Sequence, residues 1–178
     1  MSGRFDLIYR VRPFSPQAHI FAVELEIPRP PAGALVLSMP AWIPGSYMIR
    51  DFARNLVAID AEDRTGVLHL TKQDKQTWRL PHRGGAICLR WRVYAWELSV
   101  RAAHLDATHG YFNGTSLFLR PHGLDRGPCR LEITRPSGDG YRDWRLATSL
   151  AALETDPSGF GAYRADDYED LIDHPVEM

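Results

Sequence analysis

The sequence predicts an all-β, two-sheet, sandwich-like (saddle-like) domain with one short helix near its C-terminus. Three observations carry this. Several segments alternate apolar and polar residues with the period of a half-buried strand. Thirteen prolines and 14 glycines punctuate the 178-residue chain at short intervals, as short strands and many turns require. Only the acidic stretch Asp166 to Ile172 has a helical pattern, and Pro175 would stop it.

In order, the first alternation runs from Phe5 to Val11, with the odd positions apolar. The second runs from His19 to Ile27, where Phe21, Val23, Leu25 and Ile27 oppose Ala22, Glu24 and Glu26. Pro28, Pro30 and Pro31 close it. The longest is Ala86 to Leu98, introduced by Arg83-Gly84-Gly85. There Ile87, Leu89, Trp91, Val93 and Ala95 share one face, and Arg90, Arg92, Tyr94 and Trp96 share the other. Shorter expected strands are Ala34 to Met39, Asn55 to Ala61, Val67 to Thr71, Thr77 to Leu80, Ser116 to Arg120, Cys129 to Thr134 and Ala162 to Ala165. Pro136-Ser137-Gly138-Asp139-Gly140 is a turn cluster. No repeat or linker divides residues 1–178, which read as one β-domain.

Composition narrows the function. The chain is 44% apolar and 24% charged, with a net charge of −1. That balance argues against a general nucleic-acid binder or a polybasic membrane anchor, both of which need clustered positive charge. No run of 18 apolar residues spans a membrane. The opening Met1-Ser2-Gly3-Arg4-Phe5-Asp6 does not lead into a signal-peptide core. Two cysteines, Cys88 and Cys129, suit a reduced, cytoplasmic chain and read as two buried thiols. Whether they pair depends on a separation that the sequence does not reveal.

The common catalytic signatures are absent. No histidine is followed by Glu, no Gly-Lys pair supports a phosphate loop, and Gly-x-Ser-x-Gly does not occur. His104, Asp106 and His109 form the nearest approach to a metal cluster. Read as a polar loop after the long strand, they lack the fourth ligand of a closed zinc site, so no metal ligand is assigned. Five tryptophans invite a glycan-binding reading; Trp91 belongs to a core face, whereas Trp42, between prolines, is the better candidate for exposure.

The least generic segment is Met39-Pro40-Ala41-Trp42-Ile43-Pro44-Gly45-Ser46-Tyr47-Met48-Ile49-Arg50-Asp51-Phe52. Pro40, Pro44 and Gly45 fix the backbone of a turn, Trp42, Tyr47 and Phe52 offer it apolar packing, and Arg50-Asp51 suggests a local ion pair or cap. It is either an Ω-like loop packed on its own aromatics or a rigid platform for a partner.

This segment strongly resembles the N-terminal region of the glycyl aminopeptidase family of zinc metallopeptidases. The motif is carried by Trp42, Pro44, Gly45, Ser46, Tyr47, Arg50 and Asp51. Lys72 to Trp78, Tyr94 to Arg101 with His104-Leu105-Asp106, Gly110 to Gly114, Trp144 to Thr148 and Tyr168 to Glu177 continue the likeness in order. The resemblance implies a β-rich domain that precedes a thermolysin-like catalytic domain and helps wall its substrate cleft. Zinc and the catalytic residues then belong to that downstream domain, so this chain carries no catalytic residue, cofactor or metal of its own. Its expected partners are the catalytic domain and, through the parent protein, a peptide substrate. The chain stops at Met178, about where the family's catalytic domain would begin.

Cleft-facing candidates lie near the His104 to Asn113 loop: Glu97, Asp106, Tyr111 and Asn113. Glu97 falls on an otherwise apolar strand face and needs a partner, for which Arg101 is the expectation. Two other readings stand beside this one: an independent glycan- or peptide-binding β-sandwich module, and a small metal enzyme using His104, Asp106 and His109.

Overall fold

The computed structural model describes residues 6–178. Phe5, at the head of the first alternation, and the amino-terminal reading over residues 1–5 lie outside the described residues. Among the described residues the chain forms strands β1 (Leu7–Ser15), β2 (Ile20–Ile27), β3 (Gly33–Ser38), β4 (Leu56–Asp63), β5 (Gly66–Leu68), β6 (Thr71–Lys72), β7 (Thr77–His82) and β8 (Ile87–Tyr94). There follow β9 (Ala103–Leu105), β10 (Gly110–Phe112), β11 (Arg120–Pro121), β12 (Cys129–Ile133), β13 (Ala147–Thr148), β14 (Ala151–Thr155), β15 (Gly161–Ala165) and β16 (Val176–Glu177). The helix α1 (Tyr168–Asp173) begins two residues after and ends one residue beyond the acidic stretch that predicted it. Asp167 caps it, its carboxylate accepting the Asp170 amide at 2.9 Å.

The all-β class holds, with the strands distributed over three sheets. The largest has eight strands in the order β14-β15-β12-β1-β2-β8-β4-β5. Two four-stranded sheets, β13-β16-β10-β9 and β11-β3-β7-β6, complete the fold. The alternation explains the packing. Val23, Trp91, Leu25 and Leu89 are in register across β2 and β8 and are buried. Leu37, Trp78 and Leu80 from the sheet containing β3 and β7 close on the same core. Burying Phe21 or Trp91 in this way is worth roughly 2–3 kcal/mol per side chain.

Four sequence expectations change. The longest strand ends at Tyr94, not Leu98, with only an isolated bridge from Trp96 to His104 beyond it. Val67 to Thr71 is divided between β5 and β6, which lie in different sheets. The His104 to Asn113 loop is largely a hairpin, with His104 paired to Tyr111 across β9 and β10. Ser116 to Arg120 is not a strand except at its end: Gly114–Ser116 is a 3-10 turn and only Arg120 enters β11.

The intervening Leu117, Phe118 and Leu119 are all buried, which is why alternation misread them. A buried backbone outside a ladder needs other donors. Three aromatic side chains supply them. Trp91 Nε1 donates to the Leu117 carbonyl, the Tyr168 hydroxyl to that of Phe118 and the Tyr9 hydroxyl to that of Leu119, each at 2.8 Å. Tyr9, Trp91 and Tyr168 thus join the large sheet and α1 to one irregular segment.

Both cysteines are free. Cys88 is on β8 and Cys129 on β12, with β2 and β1 between them. Three inter-strand steps amount to roughly 14 Å, beyond the reach of a disulfide.

Candidate functional site: a clasped loop after the third strand

The Trp-Ile-Pro-Gly-Ser-Tyr segment follows β3 and forms a closed loop. The Ser46 amide donates to the Ile43 carbonyl at 3.1 Å, and the Arg50 amide to that of Ala41 at 2.7 Å. Pro44 and Gly45 occupy the two central positions of the first turn. Gly45 has φ of 81°, the left-handed conformation that a type II turn reserves for glycine.

Ser46 is the clasp. It is almost buried, and its backbone carbonyl accepts Trp42 Nε1–H at 2.8 Å. Its hydroxyl donates to the Met48 carbonyl at 3.0 Å and accepts the Met48 amide at 3.2 Å and Arg50 Nε at 3.3 Å. One hydroxyl therefore organises the whole return of the loop.

The expected aromatic packing takes a different form. Phe52 is buried in the core, Trp42 is about half exposed, and Tyr47 projects fully into solvent. Met48 and Ile49 are 64% and 63% exposed. Phe52 and the partly buried Ile43 anchor the segment to the core, while polar groups hold its tip and Tyr47, Met48 and Ile49 face outward.

Arg50 and Asp51 do not pair with each other. Arg50 Nη1 lies 3.2 Å from Glu97 Oε1, and Asp51 pairs with Lys75 at 2.7 Å. Arg54 also reaches Glu97, at 3.6 Å. Glu97 therefore finds its partners in the motif loop and the following turn, not in Arg101 as expected. The salt bridges join the loop to the segment after β8, on which Leu98 and Val100 are exposed at 73% and 68%. Tyr47, Met48, Ile49, Leu98 and Val100 thus flank one ion-paired junction. Leu98 and Val100 lie beyond the end of β8 at Tyr94, and no pattern in the sequence singled out either.

The other candidates are engaged locally. Asp106 accepts the Thr108 amide and hydroxyl and the His109 amide at 2.7–2.9 Å. The Thr108 bonds hold its carboxyl far below the usual carboxylate range. The Tyr111 hydroxyl donates to the Val100 carbonyl at 2.9 Å, and burial raises its pKa. Asn113 is buried and caps the 3-10 turn, accepting from the Thr115 amide and hydroxyl at 3.1 and 2.6 Å. Asp106, Tyr111 and Asn113 share the β9–β10 hairpin, whereas Glu97 stands with the motif loop.

His104 and His109 diverge in their polar contacts. His104 Nε2 meets Asp106 and His109 Nε2 meets Glu177, both at 3.2 Å. Among the described residues no three His, Cys, Asp or Glu side chains form a group that fits a metal ion. Trp96 has His19 and His104 stacked against it, with ring centroids 3.9 and 4.9 Å away.

Fold and site define an all-β domain that presents a clasped loop, with no assembled metal centre among the described residues. A model of the peptidase M61 N-terminal domain matches residues 8–178, and the chain belongs to that family. It is similar to an aminopeptidase N family protein from Idiomarina loihiensis, at 36% identity and a TM-score of 0.90. That alignment covers 96% of this chain but 29% of the Idiomarina protein. An M1 zinc metallopeptidase variant from Deinococcus radiodurans aligns at 11% identity and a TM-score of 0.48, covering 96% of this chain and 40% of that one. A search of curated proteins found no match. Among the described residues no helix is long and apolar enough to cross a membrane.

Proposed function

We propose that this chain is the non-catalytic N-terminal domain of a zinc aminopeptidase, and that it packs on a downstream thermolysin-like catalytic domain to wall one side of the substrate cleft. The observation that carries the reading is the clasped loop. Tyr47, Met48 and Ile49 gain nothing from their own chain, yet Ser46, Arg50 and Glu97 hold them in place. A contiguous exposed apolar patch marks an interaction surface. Family membership and the 29% coverage of the Idiomarina protein support a larger parent.

An aminopeptidase must block its cleft beyond the first residue so that only a free chain end fits. A rigid edge built on a sheet supplies such a stop, because its loop does not yield when the substrate presses on it. Glu97 is the candidate for facing the substrate ammonium. Its carboxylate is partly exposed and already lies beside the cations Arg50 and Arg54, so an ammonium would compete with them. Zinc and the general base belong, on this reading, to the catalytic domain. On this reading the parent protein acts on peptides in the cytoplasm, and this domain contacts the substrate only as part of it.

An antibody against this domain tests the proposal in the source cell. The expected species has an intact mass several times that of the 178-residue chain. A species of the chain's own mass would overturn the reading. In that parent, Tyr47→Asp with Met48→Asp is expected to lower peptidase activity while leaving the β-domain folded.

A further inference from the structure

The outward face of the eight-stranded sheet holds a groove of about 600 Å³, within the usual size of a small-molecule site. It lies between two rows of side chains that differ sharply in charge. In one row Glu132, Arg10, Glu24, Arg90 and Asp60 are in register across β12, β1, β2, β8 and β4. Their signs alternate. Arg10 meets Glu24 at 2.7 Å and Glu132 at 2.9 Å, and Arg90 meets Glu24 at 3.0 Å. This row largely satisfies itself.

The next row is Arg12, Ala22, Arg92 and Ala58. It contains no carboxylate. Among the described residues neither the Arg12 nor the Arg92 guanidinium has an ion-pair partner. Both instead lie over the ring of Phe14, with Cζ 5.1 and 4.4 Å from its centroid. Two like charges are therefore drawn to one aromatic ring from strands on either side of β2. Ala22 and Ala58 add nothing beyond a methyl group, which leaves the void between and beside the arginines open.

Charge and shape together specify the ligand. Of the four arginines that line the groove, Arg10 and Arg90 are matched by Glu24 and Glu132 and further by Glu26 at 2.9 Å and Glu62 at 2.7 Å, so the charge left to a ligand is that of Arg12 and Arg92. That pair suits one carboxylate, and the nearby carboxylates repel a more highly charged group. Guanidinium forks match a carboxylate through two parallel N–H···O bonds. Phe14 is 42% exposed and, with the alanine floor, offers an apolar wall.

We propose that this groove binds a carboxylate carried on an apolar body. The carboxylate is bridged by Arg12 and Arg92, and the apolar part lies over Ala22 and Ala58 against Phe14. The proposal does not rest on the peptidase reading and stands or falls separately from it.

The test is a titration of the full chain by calorimetry and amide NMR, with 3-phenylpropionate as the probe. Saturable binding is expected, with shifts centred on Arg12, Ala22 and Arg92. Neutral 3-phenylpropanamide should bind about tenfold more weakly or worse, and so should the probe to Arg12→Gln or Arg92→Gln. Ala22→Leu, which fills the floor without altering charge, should weaken binding by a similar factor and keeps the test decisive if an arginine variant misfolds. Tighter binding of acetyl-glycyl-phenylalanine would identify the source as a peptide C-terminus, and binding equal to that of the probe would identify a free small carboxylate. Absence of saturable binding, indifference to the amide replacement, or preference for inorganic phosphate would overturn the proposal.

Discussion

The inner face of the large sheet and the motif loop use the same residue types in opposite ways. On the sheet, Phe21, Val23, Leu25, Leu89 and Trp91 are buried, and apolar burial holds the structure together. In the loop, Tyr47, Met48 and Ile49 face outward, and the Ser46 hydroxyl with the Arg50–Glu97 pair does the holding. The contrast teaches that exposed aromatic and aliphatic groups need not mean a loose loop. A few well-placed hydrogen bonds can fix a surface whose apolar energy is left to a second body.

The largest expected effect is on the core side of this contrast. Trp91→Ala removes a fully buried indole and leaves the Leu117 carbonyl without its donor. A loss of about 3–5 kcal/mol is expected, measurable as a lower denaturant midpoint at unchanged slope. Tyr168→Phe keeps the packing and deletes only the bond to the Phe118 carbonyl; about 1–3 kcal/mol should be lost. If that variant proved neutral, the side-chain donors to residues 117–119 would be incidental.

On the loop side the effects shrink globally and concentrate locally. Ser46→Ala should cost about 1 kcal/mol in unfolding free energy, with a clear rise in hydrogen exchange at the Met48 amide. Glu97→Gln should cost less than about 1 kcal/mol, because the pair it breaks is partly exposed to solvent. Tyr47→Ser should change the domain's own stability by no more than about 0.5 kcal/mol. A large destabilisation there would contradict a side chain that is wholly solvent-facing.

The titration behaviour follows the same division. Thr108 holds the Asp106 carboxyl below its ordinary range, so its folded pKa is below its unfolded one. Its stabilising contribution is therefore present above the ordinary carboxylate range and is lost progressively as pH falls below that range towards its lowered folded value. Asp106→Ala should flatten the acid limb of a stability–pH profile recorded from about pH 7 to about pH 3. The thiols should be the quietest groups of all. Burial pushes Cys88 up to about 11 and Cys129 up to about 12, so both should react only slowly with a thiol reagent at neutral pH.

Much of the fold was legible because one face of the large sheet is buried and the other is wet. That condition writes a period of two into β1, β2 and β8, and their inner residues were identifiable without coordinates. The same rule explains the failures. β14 is exposed along its whole length, and β13 and β16 are two residues each, too short to show a period. Leu117 to Leu119 are buried on every side, so their alternation had no meaning. In the site, Pro44-Gly45 announced a turn and Trp42 its exposure. The partners of Glu97 did not show, since Arg50 and Arg54 are more than forty residues away in the chain.

The sequence by itself thus determined what is local. Period-two patterning set which faces are buried, proline and glycine set where the chain turns, and the Trp-Ile-Pro-Gly-Ser-Tyr motif pointed to the family. Tertiary structure alone decided what depends on contacts between distant residues: how the strands divide among three sheets, which cations meet Glu97, and which donors reach residues 117–119. It also decided that Arg12 and Arg92, eighty residues apart, converge on Phe14. Local preferences act through neighbouring dihedrals and can be read in order, whereas pairing is chosen by the free energy of the whole packed chain.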